Sequence, residues 1–271
     1  MKISVHIDGQ HYAVGQQPID LAIPLDFHGR QANLYGAPAA KALTFKSNGF
    51  TGDVRQGGSC NVETYTLTPH CNGTHTECVG HLAAERLSVH HSLQDSLLPA
   101  CLISISPQVA ASTPDTYLPP FDADDHIISR EALQAALQQV PAAFCQALVI
   151  RTLPNPPEKR FWDYGSHKPP FFSLEAMRFI RQKKVQHLLL DLPSVDRLYD
   201  EGRLSAHRLF WGMQPGATAT PVAAAQARSI TELIYVPNET PDGLYLLNLQ
   251  IPAFTGDAAP SRPRLFRLKA Q

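Results

Sequence analysis

A chain of 271 residues of which 44% are hydrophobic can bury a substantial core, which points to a globular protein. Its 23 Lys and Arg against 24 Asp and Glu leave a net charge of −1. That balance provides no broad field for gathering phosphate backbones or anionic lipid, so neither nucleic acid nor a membrane is an expected partner.

The start of the chain carries Lys2 and Asp8 before any apolar run of signal-sequence length, and no stretch of ~20 apolar residues follows. A cytoplasmic location is therefore expected. Five cysteines, at 60, 71, 78, 101 and 145, are an odd number in a chain too large to need disulfide staples, and free thiols fit best. Gly57-Gly58 reads as a turn, because no GxxxxGK[ST] pattern follows it. Apolar runs of strand length lie at residues 101–105, 147–150, 187–190, 233–236, 244–251 and 265–268. Two amphipathic helices are predicted, over 129–140 with Ser129 as N-cap and over 173–184 with Leu174, Met177 and Phe179/Ile180 inward. Each is followed by an apolar run, giving αβ units over 129–151 and 173–191 that would feed a sheet. Trp162, Tyr164, Phe171 and Phe172, set among four prolines, form either a loop pinned to the core or the rim of an aromatic pocket. Twenty-three prolines and sixteen glycines mark many turns but no low-complexity linker, and no internal repeat is present. The expected class is mixed α and β in a single domain over 1–271.

Five of the twelve histidines fall between His70 and His91, together with Cys71, Glu77 and Cys78. Cys71, His75, Glu77 and His81 follow one another at offsets of 4, 2 and 4, and would project to one side of an extended chain. An extended span of that length covers ~33 Å, too far for one coordination shell, so Gly73 and Gly80 are expected to supply bends. Thiolate, imidazole and carboxylate are the side chains that bind zinc or manganese, and a catalytic site takes about three of them and leaves a position for water. Thr74 and Thr76 are placed to hydrogen-bond the imidazoles. His70, His90 and His91 read as surface or helix-end residues.

Gly73-Thr74-His75-Thr76-Glu77 and His81 resemble the HxGTHxDxPxH signature of the cyclase family, which includes bacterial kynurenine formamidases and isatin hydrolases. Asp191-Leu192-Pro193-Ser194-Val195-Asp196 resembles the family's D-x-P-S-x-D stretch, and Ala206-His207-Arg208-Leu209-Phe210 its downstream histidine motif. Ile230-Thr231-Glu232-Leu233 resembles the strand that carries a late metal-binding glutamate, with 244–249 and 263–267 as closing strands. The resemblance implies a swivelling β/β/α fold, a homodimer or higher homo-oligomer, and a hydrolase acting on a small-molecule linear or cyclic amide with one or two Zn²⁺ ions, or Mn²⁺. Carried over by position, Cys71, His75 and Glu77 would hold the first ion, and His81, His207 and Glu232 would surround a second ion or its proton-transfer equivalent.

The chain departs from the family pattern at three places: Cys71 stands where the first histidine is expected, Glu77 replaces the aspartate and Val79 replaces the proline. A thiolate in that set favours zinc over manganese. The longer Glu77 shifts the ion or changes its binding mode, which bears on whether it bridges two ions. His70 could take the ligand position after a one-residue shift, but the Gly-Thr-His spacing and the alternation of extended chain favour Cys71. The stretch between His207 and Glu232, with Pro215-Gly216 and an alanine run at 223–225, reads as an inserted loop near the pocket.

Zinc brings its water towards a neutral pKa and polarises a carbonyl, which suits amide hydrolysis. His81 is the expected general base, with His207 second, and Glu232 or Glu77 would carry the proton if His81 binds an ion. No G-x-S-x-G element supports a serine mechanism, and a Cys71 or Cys78 nucleophile stays open. Asp191, Ser194 and Asp196 are expected to hold a strand-to-loop turn beside the site. The competing reading is a family member altered at 71, 77 and 79 that binds a small molecule without hydrolysing it.

Overall fold

A computed structural model describes residues 2–271 of the chain. Eleven strands build one mixed sheet: β1 (Ile3–Ile7), β2 (Gln10–Val14), β3 (Ile19–Asp20), β4 (His75–Cys78), β5 (Leu97–Ile105), β6 (Ala147–Thr152), β7 (His187–Leu190), β8 (Ser229–Glu232), β9 (Gly243–Asn248), β10 (Ala258–Pro260) and β11 (Arg264–Ala270). Their order is β1-β2-β11-β9-β5-β6-β7-β8-β4-β10, with β3 beside β11. The inner strands β5, β6, β7 and β8 are parallel, and the strands on either side are antiparallel. Every residue of β6 and β7 is buried, because a parallel sheet is covered on both faces; residues 147–150 and 188–190 are accordingly apolar without alternation, with Arg151, Thr152 and His187 as buried polar residues at the strand ends.

Four helices cover the sheet or carry side chains towards its end: α1 (Pro69–Asn72), α2 (Arg130–Ala136), α3 (Leu174–Gln182) and α4 (Ser205–Trp211). Leu188 and Leu190 of β7 and Ile230 of β8 pack with Leu133 of α2, Met177 and Ile180 of α3, and Ala206 and Phe210 of α4. Leu189 faces the other way, into a second core with Leu98, Val149, Leu247 and Leu265. The α2-β6 and α3-β7 units expected from the sequence are present. Ser129 and Ser173 cap their helices through the amides of Ala132 and Ala176. Both helices are shorter than predicted. The chain after α2 meets Pro141, which disfavours helical backbone at Val140, and Lys184 after α3 takes a left-handed φ of 59°.

Two corrections concern strands. The predicted strand 233–236 is not one; β8 lies immediately before it, and Leu233, at φ 54°, turns the chain out of the strand while Leu233, Ile234 and Val236 stay buried. The β1-β2 hairpin went unpredicted although Asp8-Gly9, both at positive φ, is the two-residue turn that right-twisted strands favour. No helix of the described residues is long and apolar enough to cross a membrane.

Candidate metal centre

The register of β8 against β4 sets Glu232 directly opposite His75, and the register of β10 against β4 sets Ala258 opposite Glu77. Cross-strand partners share a face, and so do residues two apart, so His75, Glu77 and Glu232 converge on the helix-covered side of the sheet. On the reverse side, the hydroxyls of Thr76 and Thr231 bond each other at 2.8 Å. His207 approaches from α4, and His70 from α1. Asp257, just before β10, is fixed by its own carbonyl, which accepts the amide of Cys78 at 2.9 Å.

Glu77 is the centre of this group, with 1% of its side chain exposed. Its Oε1 lies 3.0 Å from His207 Nε2, and its Oε2 lies 3.1 Å from His70 Nδ1 and 3.9 Å from His81 Nδ1. His75 Nε2 lies 3.5 Å from Glu232 Oε2, and His207 Nε2 lies 3.6 Å from Glu232 Oε1. On the outer side Asp257 Oδ2 lies 2.9 Å from His70 Nε2 and 3.5 Å from His81 Nδ1. Two sets of ligand atoms therefore lie close enough to share an ion: His75, Glu77 and Glu232, all buried, and His70, Glu77 and His81. Ligands about 2.1 Å from a tetrahedral zinc stand about 3.4 Å from one another, close to the spacings seen here.

The surroundings orient these groups. His75 Nδ1 faces the Gly73 carbonyl at 3.0 Å; donating its proton there leaves the Nε2 lone pair directed into the cluster. His207 Nδ1 faces Asp196 Oδ2 at 2.5 Å. Asp196 is held in turn by the Tyr117 hydroxyl and the Ala206 amide, each at 2.6 Å from Oδ1. The Val195 amide donates to Glu232 Oε1 at 3.1 Å. Thr74 accepts from the Ile23 amide at 2.9 Å and donates to the Leu233 carbonyl, so it pins the strand end and does not touch an imidazole.

Electrostatics follow from packing carboxylates around imidazoles. Burial raises the Glu77 carboxyl pKa, but the imidazoles of His81 and His207 outweigh it and hold that pKa well below the ordinary range. Burial likewise opposes charge on His207, yet Glu77, Asp196 and Glu232 raise its pKa well above the usual value. His70 is pushed up to about 10 by Asp257 and Glu77 against the opposing effect of burial. Hydrogen bonding to His70 and His81 depresses the Asp257 carboxyl.

Of the six residues expected to carry the chemistry, His75, Glu77, His81, His207 and Glu232 come together. Cys71 packs with Ile23, Leu34, Tyr164 and Leu233, and its sulfur joins neither set of clustered ligand atoms among the described residues. Burial, then the negative charge of Glu232, raises its thiol pKa. His70, expected at the surface, faces Glu77 and Asp257 instead. His90 and His91 are exposed on a short helix (Val89–Ser92). Gly73 is extended at φ 164°. Gly80 sits in a 3-10 turn (Val79–His81), where an added Cβ would come within 2.2 Å of the Leu87 carbonyl oxygen and 3.2 Å of Asp257 Cβ. Its use is close approach rather than an unusual backbone angle.

Phe171 and Phe172 are core residues, and the Tyr164 ring is buried beside Cys71, while Trp162 stacks on His167 at 4.6 Å. The segment between His207 and Glu232 passes beside the chain just after His81: the Ala84 amide donates to the Thr218 carbonyl and Thr220 bonds Glu85. Asp257 and Tyr35 were not anticipated. Tyr35, 52% exposed overall, donates its hydroxyl to the Leu198 carbonyl at 3.0 Å, and desolvation followed by the charges of Glu232 and Asp200 raises the pKa of that hydroxyl to about 12. Neither has a sequence motif around it; the one signal for Asp257 was an acid after glycine just before a strand.

Residues 19–197 match the family model named Cyclase. No curated protein matches the chain. Among solved structures, an isatin hydrolase bound to the product analogue thioisatinate is similar over 93% of both chains, at 14% identity and a TM-score of 0.61. Isatin hydrolase A from Labrenzia aggregata, bound to benzyl benzoate, matches 92% of this chain and 93% of its own, at 14% identity and a TM-score of 0.58. A predicted metal-dependent hydrolase from Bacillus stearothermophilus matches 92% of this chain and 98% of its own, at 15% identity and a TM-score of 0.54. At these identities the likeness is one of fold.

Proposed function

The chain belongs to the cyclase family, matched over residues 19–197, and on that premise we propose that it is a metal-dependent hydrolase of linear or cyclic amide C–N bonds. The observation that carries this reading is a pair of buried polar atoms with no hydrogen-bond partner, His75 Nε2 and Glu77 Oε2, among convergent ligand groups. A buried lone pair left unbonded costs roughly 1–3 kcal/mol, and a divalent cation removes that cost while balancing the carboxylates packed around it. The donors present therefore fit a metal ion. We assign it to His75, Glu77 and Glu232, with His207 beside them, and zinc suits this nitrogen and oxygen set, as manganese does.

Such an ion supplies Lewis acidity that brings the pKa of water from about 15.7 towards about 7. The protein supplies the rest. Asp196 fixes the His207 ring, and the Val195 amide fixes Glu232. His81, with 29% of its side chain exposed against 25% for His70, is the most exposed imidazole of the cluster. It is placed to take a proton from the attacking water and return it to the leaving nitrogen. Retention of this whole constellation favours hydrolysis over the alternative of a small-molecule binder without activity. An arylformamidase-like preference is one form of this proposal, and isatin-type cyclic amides are the other.

The test is metal analysis of protein purified without chelators, together with hydrolysis of an N-formyl aromatic amine, isatin and a cyclic imide. Folded His75→Ala protein is expected to lose the buried ion and all activity. Unchanged metal content in that variant would sink the assignment. A metal-loaded wild type that binds a panel compound without turning it over would establish the binding-only reading.

A further inference from the structure

We propose a second divalent-cation site on the solvent side of Glu77, built from His70, Glu77 Oε2, His81 and Asp257. It rests on the metal reading above and adds to it a ligand set that includes two residues outside the signature motif. Four observations support it. First, the donors are of the right kind and face one another: Asp257 Oδ2 is 2.9 Å from His70 Nε2 and 3.5 Å from His81 Nδ1, and Glu77 Oε2 is 3.1 Å from His70 Nδ1. Second, Glu77 is buried and its Oε2 accepts no hydrogen bond; its approach to His70 Nδ1 at 3.1 Å is an ion-pair contact alone, so the oxygen keeps lone-pair capacity directed into the group. Third, the two Glu77 oxygens point to different neighbours, Oε1 to His207 and Oε2 to His70 and His81. A carboxylate in that posture can serve two ions at once. Fourth, the backbone is shaped to bring Asp257 in. The Asp257 carbonyl takes the Cys78 amide, and the glycine at 80 lets the chain pass between the Leu87 carbonyl, which an added Cβ would meet at 2.2 Å, and Asp257 Cβ, which it would crowd at 3.2 Å.

Two imidazoles and two carboxylates form a hard-to-borderline donor set suited to zinc, with the outer side open for water since His70, His81 and Asp257 are 25%, 29% and 42% exposed. With an ion there the Nδ1 lone pair of His81 is occupied. The proton-carrying role of His81 then belongs to the protein with only the inner ion bound. The resemblance implies a second ion among His81, His207 and Glu232, whereas here His70 and Asp257 join His81 on the solvent side of Glu77, so the second ion would lie outward of the place that the motif implies.

The experiment is Zn²⁺ titration of chelator-stripped protein, read by calorimetry and by equilibrium dialysis, for wild type, His70→Ala, Asp257→Ala and His75→Ala. Wild type is expected to take up two equivalents. Asp257→Ala and His70→Ala should each retain one equivalent at wild-type affinity and bind the other at least about tenfold more weakly. Asp257 is substantially exposed, so its replacement should leave the fold intact, and circular dichroism checks this. A wild type that binds one equivalent, lost in His75→Ala but unmoved in Asp257→Ala and His70→Ala, overturns the outer site and leaves the inner one standing. Two equivalents with unchanged affinities in both outer variants overturn it as well. A wild type with no zinc affinity sinks the underlying metal reading itself.

Discussion

Asp196 shows how much of this centre is set by single groups that would never touch an ion. Its Oδ2 receives His207 Nδ1 while its Oδ1 receives Tyr117 and the Ala206 amide, so one carboxylate fixes both the ring tautomer and the start of α4. Asp196→Asn can keep the amide contact through its carbonyl oxygen but removes the charge that holds His207 with Nε2 towards Glu77. We expect a 10–100-fold loss in metal affinity or activity with little change in melting temperature. Parallel zinc titration and thermal melts check this; a large fall in melting temperature with unchanged affinity would make Asp196 purely structural. The sequence placed Asp196 beside the site but linked it to a turn, because the pairing with His207 spans eleven positions and depends on how α4 docks. The choice between Cys71 and His70 went similarly. Alternation along an extended chain sends neighbours to opposite faces, and on that rule Cys71 faces the metal. Pro69 instead opens the single helical turn α1, successive side chains step round by about 100°, and His70 is the one directed at Glu77.

Elements carry the site by register. The motif residues from His75 to His81 were legible because a strand and one tight turn keep them local. Glu232 was legible only by resemblance, since the apolar run that follows it looked more like a strand than the segment it sits in. Asp257 was not legible, for it reaches the site through β10 pairing with β4 across some 180 residues of intervening chain. Behind the sheet, Asp191 at the end of β7 ties β6 to the loop after it. Its carboxylate accepts the Thr152 amide and hydroxyl at 2.9 Å each and pairs with Lys159 Nζ at 2.6 Å, with both side chains almost fully buried. Asp191→Ala strands a buried ammonium and is expected to destabilise the protein by about 3–5 kcal/mol. Adding Lys159→Met should recover part of that loss, though not the bond to the Thr152 amide. Denaturant melts of the single and double variants test the pair; a single variant within about 1 kcal/mol of wild type would show that the ion pair is dispensable.

For the whole molecule, the same buried imidazoles set how stability varies with pH. His187 in β7 is buried against the Ser229 hydroxyl, and burial depresses its pKa from 6.5 to about 4. Between those values the unfolded chain binds the extra proton, so stability from this group is fully present above pH 6.5 and is lost as pH falls towards 4. A shift of that size corresponds to a loss on the order of 3 kcal/mol. His70 and His207 act in the opposite sense. Their pKa values are raised in the folded state, His70 to about 10, so their contribution is complete below the unfolded value of 6.5 and declines as pH rises towards 10. The carboxylates of Glu77, Asp196 and Asp257, depressed in the fold, add stability that disappears only in more acid solution. Metal-free protein should therefore be most stable near pH 6.5 and lose stability on both sides. A bound ion replaces the protons that hold the cluster together, and its ligands must be deprotonated to bind it. Zinc should flatten the alkaline limb and steepen the acid one. His187→Gln, remote from the metal ligands, should remove part of the loss between pH 6.5 and 4 and leave the alkaline limb unchanged. Melting temperatures from pH 4 to 9, with chelator and with zinc, decide the matter: a chelated wild type with a flat profile above pH 6.5 would mean that proton-bridged imidazoles do not hold this cluster in the absence of metal.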